Sequence, residues 1–216
     1  MKSANIPYLP QLAELDEERI IQLMEEKATR QSIDHVNWPQ FHYKPIAAYS
    51  IAHDADRIYI HFFVRGNCLK ALYTEDQSPV WTDSCVEFFV QPPGSEFYYN
   101  FEFNCIGTCY AAKRSSRDDF ALLTADELAQ IKRYPALGHK PFQEMEGLFV
   151  WDVLVSIPFS LIGLDGKNLP DSIRANFYKC ADGTILPHYL SWNPIETPKP
   201  DFHRPEFFGE LFLQKP

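Results

Sequence analysis

No apolar run in this 216-residue chain reaches the length of a membrane span. The opening MKSANIPYLP lacks the apolar core of an export signal. The histidines show neither HxxxH nor HxH spacing, and no pair of CxxC motifs is present, which argues against a metal centre readable from spacing. A glycine-rich phosphate loop is also missing. Basic residues are in deficit, 20 against 29 acidic ones for a net charge of −9, so nucleic-acid backbones and anionic membranes are poor partners. Five cysteines form an odd set without framework spacing, which points to a reducing compartment. The expected location is the cytoplasm, or outside the cell if a signal has been removed.

What is abundant is aromatic. Phe, Tyr and Trp make up 15% of the chain, with 17 Phe and 11 Tyr, a composition that favours strands. Seventeen prolines imply many stiff loops. Residues 1–14 read as irregular around Pro7 and Pro10. Asp16 caps a helix expected over about 16–28, with Ile20, Leu23, Met24 and Lys27 at helical spacing. Strand patterns then follow at 47–52, 57–64, 68–73, 85–91, 97–105, 108–113, 148–157, 173–180 and 207–213. Thr124 and Glu127 have capping-box spacing, predicting a short helix to about Arg133. With no βα alternation, repeat or linker, the expected fold is all-β. It is a jelly-roll-like antiparallel β-sandwich of one domain, 1–216, with one or two short peripheral helices and an N-terminal extension over 1–40.

Trp81 and Glu87 stand out first. Trp81 follows a turn-rich stretch whose Thr, Asp and Ser already supply the turn chemistry. Glu87 sits among apolar neighbours, where a lone carboxylate is costly unless it is paired or bonded. Together they suggest a flat ring and a committed acceptor for a polar ligand. In the next strand Asn100, Glu102 and Asn104 share one polar face, either solvent-exposed or ligand-lining. Arg114 and Arg174 are the candidate partners for Glu87. Trp192, between Ser191 and Asn193-Pro194, is delivered from a loop, whereas Trp38 and Trp151 read as core.

Trp81-Thr-Asp-Ser-Cys-Val-Glu87, Tyr99-Asn-Phe-Glu-Phe-Asn104 with Gly107-Thr108, and Trp151-Asp-Val with Ile157-Pro158-Phe159 occur in that order. Arg174-Ala-Asn-Phe-Tyr-Lys-Cys180, His188-Tyr-Leu-Ser-Trp192 and Phe202-His-Arg-Pro-Glu-Phe-Phe-Gly209 complete the set. This ordered set, over roughly 40–213, resembles the family 9 carbohydrate-binding modules. The resemblance implies a β-sandwich that grips a terminal sugar of a glucan or xylan-type chain between two tryptophans. Trp81 and Trp192 would be the clamp, Glu87 the acceptor, and Asn176 and Tyr178 polar contacts. It implies no required cofactor but often structural calcium, for which Asp54 with Asp56, Asp118 with Asp119, and Asp182 are candidates.

The expected function is therefore non-catalytic binding of an oligosaccharide or polysaccharide end in carbohydrate breakdown, with a glycan-degrading enzyme as a potential partner. Two other readings stand beside it. Glu87 with Glu102 could form the carboxylate pair of an O-glycosyl hydrolase. Alternatively, the domain could be a scaffold that has lost sugar binding. The facing of Trp81 and Trp192 discriminates between them.

Overall fold

A computed structural model describes residues 1–215. The chain begins with β1 (Ser3–Ile6) and α1 (Glu17–Lys27), then β2 (Gln31–Ser32), β3 (His35–Val36), β4 (Ile46–His53) and β5 (Arg57–Ala71). Next come β6 (Cys85–Gln91), β7 (Tyr98–Asn104), β8 (Cys109–Arg114) and β9 (Phe120–Leu122). After α2 (Ala125–Leu128), β10 (Lys132–Pro135) and β11 (Phe142–Pro158), the chain ends with β12 (Ser172–Cys180), β13 (Tyr189–Ser191) and β14 (Gly209–Leu213).

The strands form two sheets. A nine-stranded sheet runs β1-β14-β12-β6-β7-β8-β9, with β13 pairing both β12 and β3; a five-stranded sheet runs β10-β11-β5-β4-β2. Every pairing is antiparallel except β1 with β14. Period-2 alternation then decides what each residue touches. Val86, Phe88 and Val90 of β6, Phe101 and Phe103 of β7, and Ala175 and Phe177 of β12 face the sandwich core. There they meet Tyr49, Ile51, Ile60, Phe62, Val153 and Val155 of the small sheet. Tyr49 stacks on Phe177 with ring centroids 3.5 Å apart, joining the two layers at the centre.

The outer face of the large sheet is buried as well. Cys85, Phe89, Tyr98, Tyr110, Tyr178 and Cys180 pack there under Trp38, Ile195, Phe202 and Phe208 from the covering loops. On the opposite side of the molecule, α1 lays Ile20 and Met24 on Ala52, Tyr59 and Leu154 of the small sheet. Asp16 caps that helix by accepting from the Arg19 N–H, as its sequence predicts.

Three local expectations are corrected. Residues 3–6, expected to be irregular, form β1 because their backbone pairs in parallel with 210–213; the prolines at 7 and 10 lie beyond the pairing. The two strands expected at 57–64 and 68–73 are one continuous strand through Gly66, held in register by β11. The capping box at Thr124 is present, but its helix stops at Leu128. Residues 132–135 are taken by pairing with 153–156.

Candidate functional site

The outer face of β6, β7, β8 and β12 carries a pocket of about 250 Å³ near the end where Trp81 leaves its turn. Glu87, Glu102, Tyr110, Arg114 and Cys180 contribute from the strands. Trp81, Phe120, Tyr189 and Phe202 bring aromatic surface from the surrounding segments, with Arg117, Asp118, Asp182, Asp201 and His203 around them. Arg117 and Asp201, from two different wall segments, approach to 3.3 Å.

Trp81 is held by its turn. Asp83 is fully buried, and its Oδ2 accepts from the Leu72 N–H (3.0 Å), the Tyr73 N–H (3.1 Å) and Asn104 Nδ2 (3.1 Å). The Trp81 carbonyl accepts from the Asp182 N–H at 3.0 Å. The half-buried indole meets the Tyr110 ring edge-on, with centroids 5.3 Å apart. That leaves part of the ring as pocket surface.

The polar floor is a connected network. Glu87 and Glu102 are directly opposed on neighbouring antiparallel strands and are 2% and 4% exposed. The Cys180 thiol donates to Glu87 Oε1 at 2.9 Å. Asn100 donates to Glu102 Oε1 at 2.9 Å and accepts from Arg114 Nε at 2.6 Å. Arg114 also donates to the Arg117 carbonyl (2.6 Å) and the Tyr110 hydroxyl (3.2 Å), and its guanidinium lies 4.4 Å from the Phe120 ring centroid. Glu102 Oε2 has no partner among the described residues. Burial pushes the Glu102 carboxyl up to about 8 despite the lowering influence of Arg114. Burial, reinforced by Cys180 and Glu102, pushes Glu87 well above the carboxylate range. Near neutral pH this floor therefore offers carboxylic O–H donors as well as acceptors.

The structure brings Trp81, Glu87, Glu102 and Arg114 together, and the other six sequence candidates line no part of this pocket. Trp192 is the main correction. It is 0% exposed and packs edge-on to Phe177 and Tyr49, with centroids 5.8 and 6.1 Å away. The reason is alternation along the strand: Leu190 and Trp192 point into the sandwich core, while Tyr189 points outward to the pocket. Asn100 orients Glu102 and Arg114 from behind. Asn104 closes its own hairpin, its Oδ1 accepting from the Thr108 N–H at 2.9 Å, and steadies the Trp81 turn.

The remaining three also serve as supports. Asn176 bonds the Asn193 carbonyl at 3.0 Å and takes the Asn193 N–H at 2.9 Å, fastening the chain after β13. Tyr178 donates to the Phe202 carbonyl at 3.1 Å and stacks on the Phe202 ring at 4.1 Å, backing one pocket wall. Arg174 holds the Pro205 carbonyl (2.7 Å) and Gln91 (3.2 Å), four residues up the strand from Tyr178, instead of pairing with Glu87. Trp38 and Trp151 are core, each 2% exposed.

Sequence reasoning missed Tyr110, Phe120, Tyr189, Phe202 and His203. Tyr110 shares strand parity with Arg114 and could have been placed with it. Tyr189 sits three residues before Trp192, hence on the opposite face. Arg117 lies in the polar stretch 115–119, which reads only as a break, and Phe120 follows directly after it.

Two of the carboxylates considered for calcium, an ion that takes roughly six to eight oxygen ligands, are committed to local hydrogen bonds. Asp54 Oδ1 accepts from the Asp56 and Arg57 N–H groups at 2.9 and 2.7 Å, and its Oδ2 from Tyr59 at 2.7 Å, so its lone pairs serve a turn. Asp119 bonds Ser115. Among the described residues the convergent group of ligand-type atoms is not carboxylate-based: it is Cys85, Glu87 and Cys180.

Comparison with known proteins agrees with this architecture. A family profile, carbohydrate-binding family 9, matches residues 17–213. The crystal structure of a proposed carbohydrate-binding protein from Bacteroides uniformis is 34% identical over 99% of each chain, with a TM-score of 0.92. A family 9 carbohydrate-binding module from Caldicellulosiruptor kristjanssonii in complex with glucose shares the fold at 12% identity and a TM-score of 0.61, covering 99% of this chain and 96% of the other. A family 9 module from the same organism in complex with cellotriose gives 12% identity and 0.55, covering 99% and 94%. No curated protein matches. With a profile that spans nearly the whole chain and a 34%-identical structure matched end to end, the chain belongs to carbohydrate-binding family 9.

Proposed function

We propose that the pocket binds the end of an oligosaccharide without transforming it, with Trp81 as the stacking platform. The observation that carries this reading is the company Trp81 keeps. A half-exposed indole shares a small pocket with aromatic side chains, five carboxyl groups and two guanidinium groups. A pyranose has C–H faces that aromatic rings bury and hydroxyls that carboxyl and guanidinium groups bond. The family's sugar complexes, with glucose and with cellotriose, support the ligand class. In this chain the aromatic surface that shares the pocket with Trp81 comes from Tyr189 and Phe202 among others, while Trp192 is in the core. Glu87 and Glu102 orient hydroxyls, and Arg114 holds its geometry through Asn100 and Tyr110. Affinities between about micromolar and millimolar suit a pocket of this kind.

Titration calorimetry against glucose, cello-oligosaccharides and xylo-oligosaccharides, each with its borohydride-reduced form, tests this. Binding lost in Trp81→Ala and in Tyr189→Ala, but kept in a folded Trp192→Phe, is expected. No heat from any saccharide, or unchanged affinity in Trp81→Ala, would refute it.

A further inference from the structure

Beneath the sugar-sized space lies chemistry that a saccharide does not require. Cys85 and Cys180 are directly opposite in the antiparallel β6–β12 pair, and both thiols face outward with Glu87. The two sulfurs and a Glu87 oxygen all lie within 4.8 Å of one another. All three residues are buried, yet Glu87 and Cys180 border the pocket, so this floor can be reached from it.

We propose that Cys85, Glu87 and Cys180 form a binding site for a thiophilic divalent cation of the zinc class. Two sulfurs and one carboxylate oxygen are a donor set for a four-coordinate soft or borderline ion, with zinc–sulfur bonds near 2.3 Å. Hard cations such as calcium and magnesium prefer oxygen alone. Three protein ligands leave one position directed at the pocket. Glu102, opposed to Glu87 on the neighbouring strand, is not part of this convergent group. Binding requires the thiols and the carboxyl group to give up their protons, so the cation replaces protons that the apolar surroundings otherwise hold in place. Lys179, whose buried ammonium bonds the Cys180 carbonyl from the opposite face of β12, offsets the single negative charge that two thiolates and a carboxylate leave beyond the ion's own. The proposal does not depend on which saccharide enters the pocket, or on whether one does.

The test is titration of the full, phosphine-reduced chain with Cd²⁺ alone, read by the ultraviolet sulfur-to-cadmium charge-transfer band and by thermal unfolding. One tight equivalent, a band of two-thiolate intensity, a raised Tm, displacement by Zn²⁺ and indifference to Ca²⁺ are expected. The band should vanish in Cys85→Ser and Cys180→Ser and persist in Cys109→Ser, with folding checked by near-ultraviolet dichroism. Glu87→Gln keeps both thiols, so it decides the matter if a serine variant fails to fold; its Cd²⁺ affinity should fall at least about ten-fold. Absence of the band in the parent protein overturns the proposal. So does a band that survives loss of both site thiols, or an unchanged affinity in Glu87→Gln. Sugar calorimetry on the metal-free protein is a separate measurement, so either reading can fail alone.

Discussion

Replacing Trp192 with alanine separates a core tryptophan from a clamp tryptophan. The side chain is fully buried against Tyr49 and Phe177. Truncating such a residue removes transfer energy and leaves a cavity, together about 3–5 kcal/mol. One effect opposes this. The Trp192 indole N–H is buried without a partner among the described residues, and removing an unsatisfied donor returns about 1–3 kcal/mol. The net destabilisation is expected near about 2 kcal/mol, within a span of about 0–4, which at about 2–4 °C per kcal/mol for a chain of this size lowers Tm by about 4–8 °C. Trp192→Phe keeps a ring and drops the orphan donor, so it should stay within about 1 kcal/mol of the parent. Calorimetric unfolding and sugar titration on the same preparations give both readouts. A Trp192→Ala protein of unchanged Tm that has lost saccharide binding would refute the core assignment. Trp81→Ala should show the reverse: little change in Tm, and loss of at least the stacking increment of about 0.5–1.5 kcal/mol in binding.

Other substitutions probe the neighbouring packing and charge. Gly209→Ala would set a methyl 2.4 Å from a Trp192 ring carbon and 2.7 Å from the Lys2 carbonyl oxygen, so it should cost about 1–3 kcal/mol or more by urea unfolding. Glu102 titrates at about 8 in the folded chain against an ordinary 4.5, so the native state holds its proton more tightly. Stability should fall as pH rises from about 4.5 to about 8, and Glu102→Gln should flatten that decline in denaturation curves collected across the range. His203, lowered by burial from 6.5 to about 3, acts in the opposite direction. Its contribution is present above 6.5 and is lost as pH falls towards 3, so His203→Gln should lessen acid sensitivity over that window. Arg114→Lys should weaken saccharide binding despite the retained charge, because one ammonium cannot span Asn100, Tyr110 and the Arg117 carbonyl together.

The strands were legible because their alternation is strong. The apolar pattern of 85–91 and of 97–105 places Val86, Phe88, Phe101 and Phe103 on one face without help from the structure. The same pattern isolates Glu87 and Glu102 on the other face, which is why half of the pocket floor could be named. What composition could not supply was the phase of short segments. β13 is three residues long, too short for a period to show, and an indole next to Asn-Pro looks like loop. Its phase comes from pairing with β12, where Tyr178 opposes Ser191 and Cys180 opposes Tyr189. β1 was hidden for a related reason: its partner lies more than two hundred residues away, and its parallel pairing leaves no hairpin signature. The thiol–carboxylate cluster joins residues 85 and 87 with residue 180, a proximity that only the β6–β12 register creates.

The large sheet has two buried faces, and they answer to different demands. Its inner residues are fixed by the need to interlock with a second sheet. Its outer residues are covered by loops and meet one another across a hollow. Mutational drift at Tyr110, Tyr189 or Phe202 can therefore reshape what the hollow accepts while Phe88, Phe101 and Phe177 keep the sandwich intact. A lineage built on this plan can change its recognition without passing through an unfolded ancestor. Strand pleat, by sending neighbouring residues to opposite faces, gives foldability and ligand choice nearly independent sets of positions.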